Sequence, residues 1–256
     1  MSSKKEIKSN NIRKLILLAI LFLFIILFAV SGIKILNYIK DSKENEKIFD
    51  EIAKYIVVQE VSDDSIKYNS KYKIDFESLK QKNNDTVGFL KVKGTDIEQV
   101  VVKTKDNNYY LSHNFEKSQN NAGWIFADYR NNFDGTDKNI IIYGHNMRNG
   151  TMFSSLKNVL NSDWKENEEN RYITFITENE YAIYEVFSVY QIENEDYYMK
   201  TSFNGKEFDT FINTIKKRSK YNFNVDINDN DKILTLSTCG DNNKDRVILH
   251  AKKIVE

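Results

Sequence analysis

The sequence predicts a mainly β domain, an eight-stranded barrel with helical insertions, preceded by N-terminal helices and one transmembrane helix. One unbroken apolar segment near the N-terminus has the length of a membrane span. Eight short runs rich in Val, Ile, Phe and Tyr follow it, separated by clusters of Asn, Asp and Gly. Eight strands at this spacing in ~180 residues favour a closed or nearly closed barrel.

The composition excludes several classes of protein. The chain has 256 residues, 37 basic and 37 acidic side chains, one cysteine and no proline. The balanced charge argues against a dedicated nucleic-acid binder, which normally carries a basic excess, so we expect no nucleic-acid partner. One cysteine excludes an intrachain disulfide and zinc sites built on several thiolates. Since no Asp/Glu cluster has the spacing of a metal loop, we expect neither a metal nor a cofactor.

The N-terminal segment predicts a signal anchor. The apolar run begins at Leu15 and ends before Lys34. About 20 residues at ~1.5 Å per residue span a ~30 Å hydrocarbon core. Residues 1–14 carry five basic side chains and one acidic one, so the positive-inside rule keeps them in the cytoplasm. We therefore expect a cytoplasmic tail at 1–14, a single transmembrane span at 15–36, and the rest of the chain outside the cell at the membrane.

A cleaved signal peptide is the main alternative interpretation of this segment. The apolar region of a signal peptide is about 7–15 residues long, which is shorter than the run found here. The sequence Ala29-Val30-Ser31 is only a weak cleavage signal. A buried core helix fits less well, because the run is apolar on all faces. An uncleaved anchor is therefore the preferred interpretation.

A helical stalk is predicted over residues 37–70, before a folded domain at 71–256. Apolar residues at helical spacing predict an amphipathic helix over 41–55 within a charged segment. The polar stretch 62–73 is interpreted as a loop. Asp75 is placed to cap a short helix that follows it.

The domain at 71–256 contains all eight predicted strands and two inserted helices. The strands are rich in β-branched and aromatic residues, and the second helix has its apolar residues on one face. The predicted strands are 87–92, 97–102, 124–128, 139–143, 172–176, 181–190, 233–237 and 247–254, and the predicted helices are 152–160 and 203–218.

Cys239 is the candidate nucleophile. It ends the strand-like run Ile233–Cys239 and is followed by Gly240. A strand end is a rigid mount, and the following turn exposes the thiol. The alternative is a buried structural cysteine, because free cysteines usually lie in the core. A lone thiol outside the cell is open to oxidation, so its presence there favours a function.

A nucleophilic cysteine needs a basic partner that favours the thiolate, and the chain has three histidines. His145 follows the predicted strand at 139–143, directly after Gly144. His113 lies in a polar turn, and His250 lies inside the last predicted strand, where alternation suggests a packed or surface role. His145 therefore has the best setting for chemistry, with a structural loop histidine as the alternative.

Arg246 is the candidate for stabilising negative charge. It opens the last predicted strand, seven residues after Cys239. If the two strands are neighbours, a short turn brings the guanidinium back beside the thiol. A fixed cation there can stabilise the oxyanion of a tetrahedral intermediate. A surface arginine at a strand start is the alternative interpretation.

The chain resembles the class B sortases, membrane-anchored cysteine transpeptidases of Gram-positive bacteria, over roughly residues 70–256. The segment Thr235–Cys239 matches the sortase signature T-L-x-T-C, and Arg246 matches the third catalytic residue of the family. The segment 143–147 matches the histidine region of class B. Further segments that resemble class B are 87–90, 107–111, 127–132 and the predicted helix 203–218.

The resemblance implies a sortase-type barrel and a transpeptidation reaction. Cys239 would attack the threonine carbonyl of a C-terminal sorting pentapeptide on a secreted protein and form a thioacyl-enzyme. An amine of the peptidoglycan precursor or cross-bridge would then resolve this intermediate. His145 would act as general acid and general base, and Arg246 would hold the oxyanion. The catalytic domain would lie outside the cell.

The resemblance also assigns three residues to substrate binding. Ser237 lies two residues before the nucleophile, so strand alternation places the two side chains on one face. Asn107 and Leu111 match a class B segment that lines the peptide groove. The short turn between Cys239 and Arg246 departs from other sortases of this class.

Other functions remain open at this point. Papain-like and NlpC-like wall peptidases also use Cys and His, but their cysteine precedes the histidine, whereas His145 precedes Cys239 here. An L,D-transpeptidase shares this order but has a cysteine motif that is not found in this chain. A surface-anchored binding module with an incidental cysteine is the non-enzymatic alternative. Replacing Cys239 by alanine separates the enzymatic interpretations from the last one.

Overall fold

The structure is a computed structural model that describes residues 2–60, 70–193, 195–239 and 245–255. The chain divides into two compact units, Met1–Glu44 and Asn45–Glu256.

A single helix, α1 (Ser2–Ala53), extends through the first unit and into the second. Its stretch Arg13–Ala53 contains a segment long and apolar enough to cross a membrane, none of it buried by protein. The sequence predicted separate helical segments at 15–36 and 41–55. In the structure they are parts of one helix, and no proline interrupts it.

A two-stranded hairpin follows α1 and corrects two predictions. Strand β1 (Ile56–Glu60) pairs antiparallel with β2 (Ser70–Ile74). The stalk predicted over 37–70 is therefore helical only to Ala53, because the β-branched run that begins at Ile56 favours a strand. The loop predicted at 62–73 is already a strand from Ser70, and residues 61–69 lie outside the described residues.

A short helix, α2 (Phe76–Lys82), follows the hairpin, and its predicted cap is confirmed. Asp75 accepts hydrogen bonds from the Ser78 amide at 3.0 Å and from the Ser78 hydroxyl at 2.7 Å. These bonds satisfy the first turn of the helix. Phe76 and Leu79 are buried against the barrel.

The eight predicted barrel strands are confirmed. They are β3 (Thr86–Val92), β4 (Glu98–Val102), β5 (Phe126–Ala127), β6 (Asn139–Gly144), β7 (Tyr172–Ile176), β8 (Tyr181–Glu193), β9 (Ile233–Cys239) and β10 (Asp245–Val255). They form a closed barrel in the order β10-β8-β7-β3-β4-β5-β6-β9, and β9 pairs with β10 to complete it.

The helical insertions begin later than predicted. The segment predicted as a helix from 152 is a 3₁₀ helix over Ser154–Leu160, because Met152 has a positive φ of 56°. The helix predicted from 203 begins at Glu207, after Gly205 with φ 51°. The structure adds α3 (Ser162–Glu166), and the later helix is α4 (Glu207–Arg218). Shorter 3₁₀ helices span Tyr109–Leu111 and Glu168–Arg171.

His250 is part of the barrel core. It is fully buried, with Nδ1 2.8 Å from the Thr235 hydroxyl and Nε2 2.8 Å from the Tyr190 hydroxyl. Burial lowers its pKa to about 3. Of the packed and surface roles that strand alternation left open, His250 therefore has the packed one.

Candidate active site

Strand pairing brings the three predicted catalytic residues to one end of the barrel. Strand β9 lies between β6 and β10. Its last residue, Cys239, is in register with Arg246 of antiparallel β10. On the other side, Gly144 of parallel β6 is in register with Thr238, so His145 and Cys239 are the next residues along each strand. Neighbouring strands are about 4.8 Å apart, so the three backbones adjoin.

A cavity of about 220 Å³ lies at this end of the barrel. Five of the six site residues predicted from the sequence line it, and the sixth, Cys239, directly follows the lining residue Thr238. The turn 240–244 between Cys239 and Arg246 lies outside the described residues. The described lining residues are Asn107, Leu111, Phe126, Tyr143, Gly144, His145, Met199, Ser237, Thr238 and Arg246.

The imidazole of His145 is oriented by the neighbouring loop. Its Nε2 is 2.9 Å from the backbone carbonyl of Leu111. A carbonyl oxygen can only accept, so Nε2 carries a hydrogen and donates it. The preceding residue is Gly144 because a Cβ there would lie 2.7 Å from the ring of Phe153. That glycine therefore makes room for the Phe153 side chain.

Arg246 and Ser237 share a partner that the sequence did not indicate. Arg246 Nη1 donates to the hydroxyl of Tyr198 at 2.9 Å, and that hydroxyl is 2.8 Å from Ser237 Oγ. Tyr198 is fully buried and comes from the segment between β8 and α4. This buried hydroxyl, which accepts from Arg246 and lies within hydrogen-bond distance of Ser237, thus links the cation to the strand of Cys239.

Comparison with known proteins decides the family. The sortase domain model matches residues 90–254 of the chain. The chain belongs to the sortase family. Sortase B of Listeria monocytogenes is 35% identical over 235 residues, which cover 90% of this chain and 93% of that protein. The match excludes the papain-like, NlpC-like, L,D-transpeptidase and binding-module interpretations.

Solved structures give the class and support the fold. The X-ray structure of Clostridium perfringens sortase B is 40% identical with a TM-score of 0.66, over 70% of this chain and 100% of that one. The Staphylococcus aureus sortase B–substrate complex is 34% identical with a TM-score of 0.66, over 70% and 84% of the two chains. The chain is a class B sortase, an enzyme with sortase transpeptidase function.

A second group of residues in this sortase borders the cavity, and we call it the Asp128 network. Asp128 lies just after β5 with its side chain fully buried. Its carboxylate accepts hydrogen bonds from Asn107 Nδ2 at 3.0 Å, Tyr143 Oη at 2.9 Å, and Arg130 Nε and Nη2 at 2.8 and 2.7 Å. The sequence placed Asp128 only within a segment that resembles class B sortases and gave it no role.

The contacts within the Asp128 network determine the protonation states of Asp128 and Tyr143. Burial by itself raises the pKa of Asp128, but the hydrogen bonds from Arg130, Tyr143 and Asn107 outweigh it, so the pKa lies below its usual value. Burial and the nearby carboxylate raise the pKa of Tyr143 above its usual range. Asp128 is therefore ionised and Tyr143 protonated at neutral pH.

The described part of the chain contains no group of three or more His, Cys, Asp or Glu side chains placed to hold a metal ion. The chemistry available at the described cavity is that of a histidine, an arginine and hydrogen-bonding side chains beside the Cys239 backbone.

Proposed function

We propose that this sortase cleaves a C-terminal sorting pentapeptide of secreted proteins after threonine and joins the new carboxyl end to a cell-wall amine. The observation that carries this proposal is the register of β9, which has the end of β6 on one side and the start of β10 on the other. A nucleophile, a proton carrier and a cation on three adjoining strands match the needs of acyl transfer.

Cys239 is the nucleophile in this proposal. Its thiolate attacks the threonine carbonyl, the peptide C–N bond breaks, and a thioester forms as the C-terminal tail leaves. The incoming amine then attacks the thioester, a new amide bond forms, and the thiolate is released. The covalent intermediate retains the acyl group, so transfer to an amine competes with hydrolysis.

His145 transfers the proton in both halves of the reaction. It protonates the leaving amine when the thioester forms, and it accepts a proton from the incoming amine in the second half. The bond from Nε2 to the Leu111 carbonyl keeps a hydrogen on that nitrogen. Nδ1 is then the nitrogen that gains and loses the proton.

Arg246 stabilises the oxyanion and orients the peptide. The neutral hydroxyl of Tyr198 fixes one end of its guanidinium without cancelling the positive charge. A preorganised cation of this kind acts most strongly where charge develops in the transition state.

The peptide-binding groove comprises Ser237, Asn107 and Leu111. Leu111 is 41% exposed and offers an apolar contact at the cavity. The amide of Asn107 donates one hydrogen to Asp128 and accepts from the Tyr129 amide at 3.0 Å. Its second Nδ2 hydrogen can therefore bind a peptide carbonyl. The Staphylococcus aureus relative has been solved as a sortase B–substrate complex, which supports substrate binding by this chain.

The apolar segment of α1 supports a membrane-anchored enzyme. We assign a cytoplasmic tail to 1–14, an anchor to 15–36 and a stalk that begins at residue 37, ahead of a catalytic domain that lies outside a Gram-positive cell. The full chain should partition into membranes, and a chain that begins at residue 37 should be soluble. A full chain found in the soluble fraction without detergent would contradict the anchor.

A library of fluorogenic pentapeptides with threonine at the cleavage site tests the reaction. With a peptide amine as acceptor, the enzyme should release fluorescence and form the joined product, and mass spectrometry should detect the acyl group on Cys239. Cys239→Ala should abolish both, and His145→Ala and Arg246→Ala should each lower kcat by about 10²–10³-fold.

His113→Ala is the matched control for the histidine variant. His113 stacks on Tyr109, with ring centroids 4.1 Å apart, and is absent from the cavity lining. This variant should keep most of the cleavage activity. Turnover by Cys239→Ala near the level of the unmodified enzyme would overturn the proposed function.

A further inference from the structure

The Asp128 network joins three separate walls of the cavity. Asn107 belongs to the segment between β4 and β5, and Tyr143 belongs to β6. Arg130, which binds Asp128 through Nε and Nη2, also donates from Nη2 to the backbone carbonyl of Met199 at 2.9 Å. Met199 lies in the segment between β8 and α4 and lines the cavity as well. One buried carboxylate thus lies where three chain segments meet.

We propose that Asp128 is a positioning residue that sets the width and the selectivity of the peptide groove. This inference rests on the proposed function, since it assigns the cavity to the sorting peptide. Asp128 lies behind the lining residues, and its described partners differ from those of His145 and Arg246. Its contribution is therefore to peptide binding rather than to the chemical steps.

The bonding pattern makes the carboxylate hard to replace. Oδ2 accepts three hydrogen bonds, one each from Asn107, Tyr143 and Arg130 Nη2. Oδ1 accepts two, from Nε and from the backbone amide of Arg130. An asparagine in its place would turn an NH₂ group toward some of these donors. Buried donors that lose an acceptor move or remain unsatisfied, and either result displaces the walls.

The test compares Asp128→Asn with the unmodified full chain in detergent micelles. The probes are the fluorogenic pentapeptides with threonine at the cleavage site and iodoacetamide as a small thiol reagent. We expect KM for the best library peptide to rise about tenfold, with kcat and the alkylation rate of Cys239 nearly unchanged. The ranking of library peptides should also flatten, because a wider groove discriminates less between side chains.

Asp137→Asn is the matched control. Asp137 lies in the same connection between β5 and β6, and its carboxylate accepts from Asn131 Nδ2 and from the amides of Asn132 and Phe133. The Asp137→Asn variant therefore loses a comparable set of hydrogen bonds outside the peptide cavity. It should lower thermal stability without changing KM or the peptide ranking.

Arg130→Lys keeps the inference testable if Asp128→Asn fails to fold. The Arg130 side chain is 39% exposed, and lysine keeps the charge but cannot bind Asp128 and Met199 with a planar fork. KM should rise here as well. An unchanged KM and ranking in the folded variants, or a loss confined to kcat, would overturn the inference. If the unmodified enzyme cleaves no library peptide while Cys239 is still alkylated, the proposed function fails and the inference fails with it.

Discussion

The buried hydroxyl of Tyr198 contacts two of the proposed site residues, Arg246 and Ser237. It accepts from Arg246 and lies within hydrogen-bond distance of Ser237. Removing it leaves a guanidinium without this acceptor, but the aromatic ring can keep its place in the core.

Tyr198→Phe should therefore reduce activity with little effect on folding. We expect kcat/KM for pentapeptide cleavage to fall about tenfold, the equivalent of one hydrogen bond to a charged group. Steady-state kinetics and a thermal unfolding curve measure the two effects. Tyr190→Phe is the control, since it removes a buried hydroxyl that is bonded to His250 in the core. Equal losses of activity in the two variants would argue against a specific role for Tyr198.

Local sequence patterns indicate some residues of the proposed site, but not those that depend on contacts between distant parts of the chain. Cys239, His145 and Arg246 stand at strand ends in a recognisable order, so chemistry and spacing point to them. Tyr198 and Asp128 act through contacts with residues distant in the chain, such as Arg246 48 residues away and Asn107 21 residues away. A tyrosine or an aspartate in a loop has no local pattern that predicts such contacts.

The end of helix α1 supports the loop that orients His145, the proposed proton carrier. Asn45 and Asn120 exchange amide hydrogen bonds at 3.4 and 3.2 Å in a buried pair. Phe49 packs on Trp124 with ring centroids 5.0 Å apart. Asn120 also accepts from Ala122 and donates to the Ser112 carbonyl, so it fixes the segment next to Leu111.

Removing residues 45–53 should weaken both the fold and the site. A chain that begins at residue 37 keeps this part of α1, and a chain that begins at residue 54 lacks it. Burial of Ile48 and Ile52 is worth about 1.5–3 kcal/mol each. The shorter chain should therefore melt about 10 °C lower or more, with a higher KM for the pentapeptide. Calorimetry and cleavage kinetics compare the two chains. Identical melting points would show that the helix end contributes nothing.

At the level of elements, periodicity predicted the barrel strands well and the connections poorly. Strand alternation and turn clusters are local signals, and all eight barrel strands have them. The hairpin of β1 and β2 was missed because its second strand has the composition of a polar loop. Two helices were predicted to start too early, because positive φ angles at Met152 and Gly205, rather than the hydrophobic pattern, determine where each helix begins.

The stability of the whole molecule should depend on pH through His250. The pKa of His250 is lowered to about 3 in the folded chain, below the ordinary value of 6.5. Above pH 6.5 the His250 imidazole is neutral in both the folded and the unfolded chain, so its contribution to stability does not change with pH. As the pH falls below 6.5 the unfolded chain binds a proton that the folded chain refuses, so stability decreases. The loss is about 1.4 kcal/mol per pH unit, or about 2 kcal/mol between pH 6.5 and 5.

Urea unfolding at pH 7.5, 6.5 and 5 measures this dependence, and His250→Gln is the comparison. The variant has no titrating imidazole, so its stability should fall less over this range even if it starts lower. Carboxylates contribute equally to both proteins and cancel in the difference. Parallel curves for the two proteins would contradict the assignment.

The parallel pairing of β6 with β9 has a consequence for when the enzyme becomes active. His145 precedes Cys239 by 94 residues, and β10 with Arg246 comes later still. Strands β7 and β8 and helix α4 must be made before β9 can pair with β6. A chain is synthesised from its N-terminus, so no incomplete chain that ends before β10 contains His145, Cys239 and Arg246 together. Synthesis itself thus delays assembly of the proposed active site until the barrel closes.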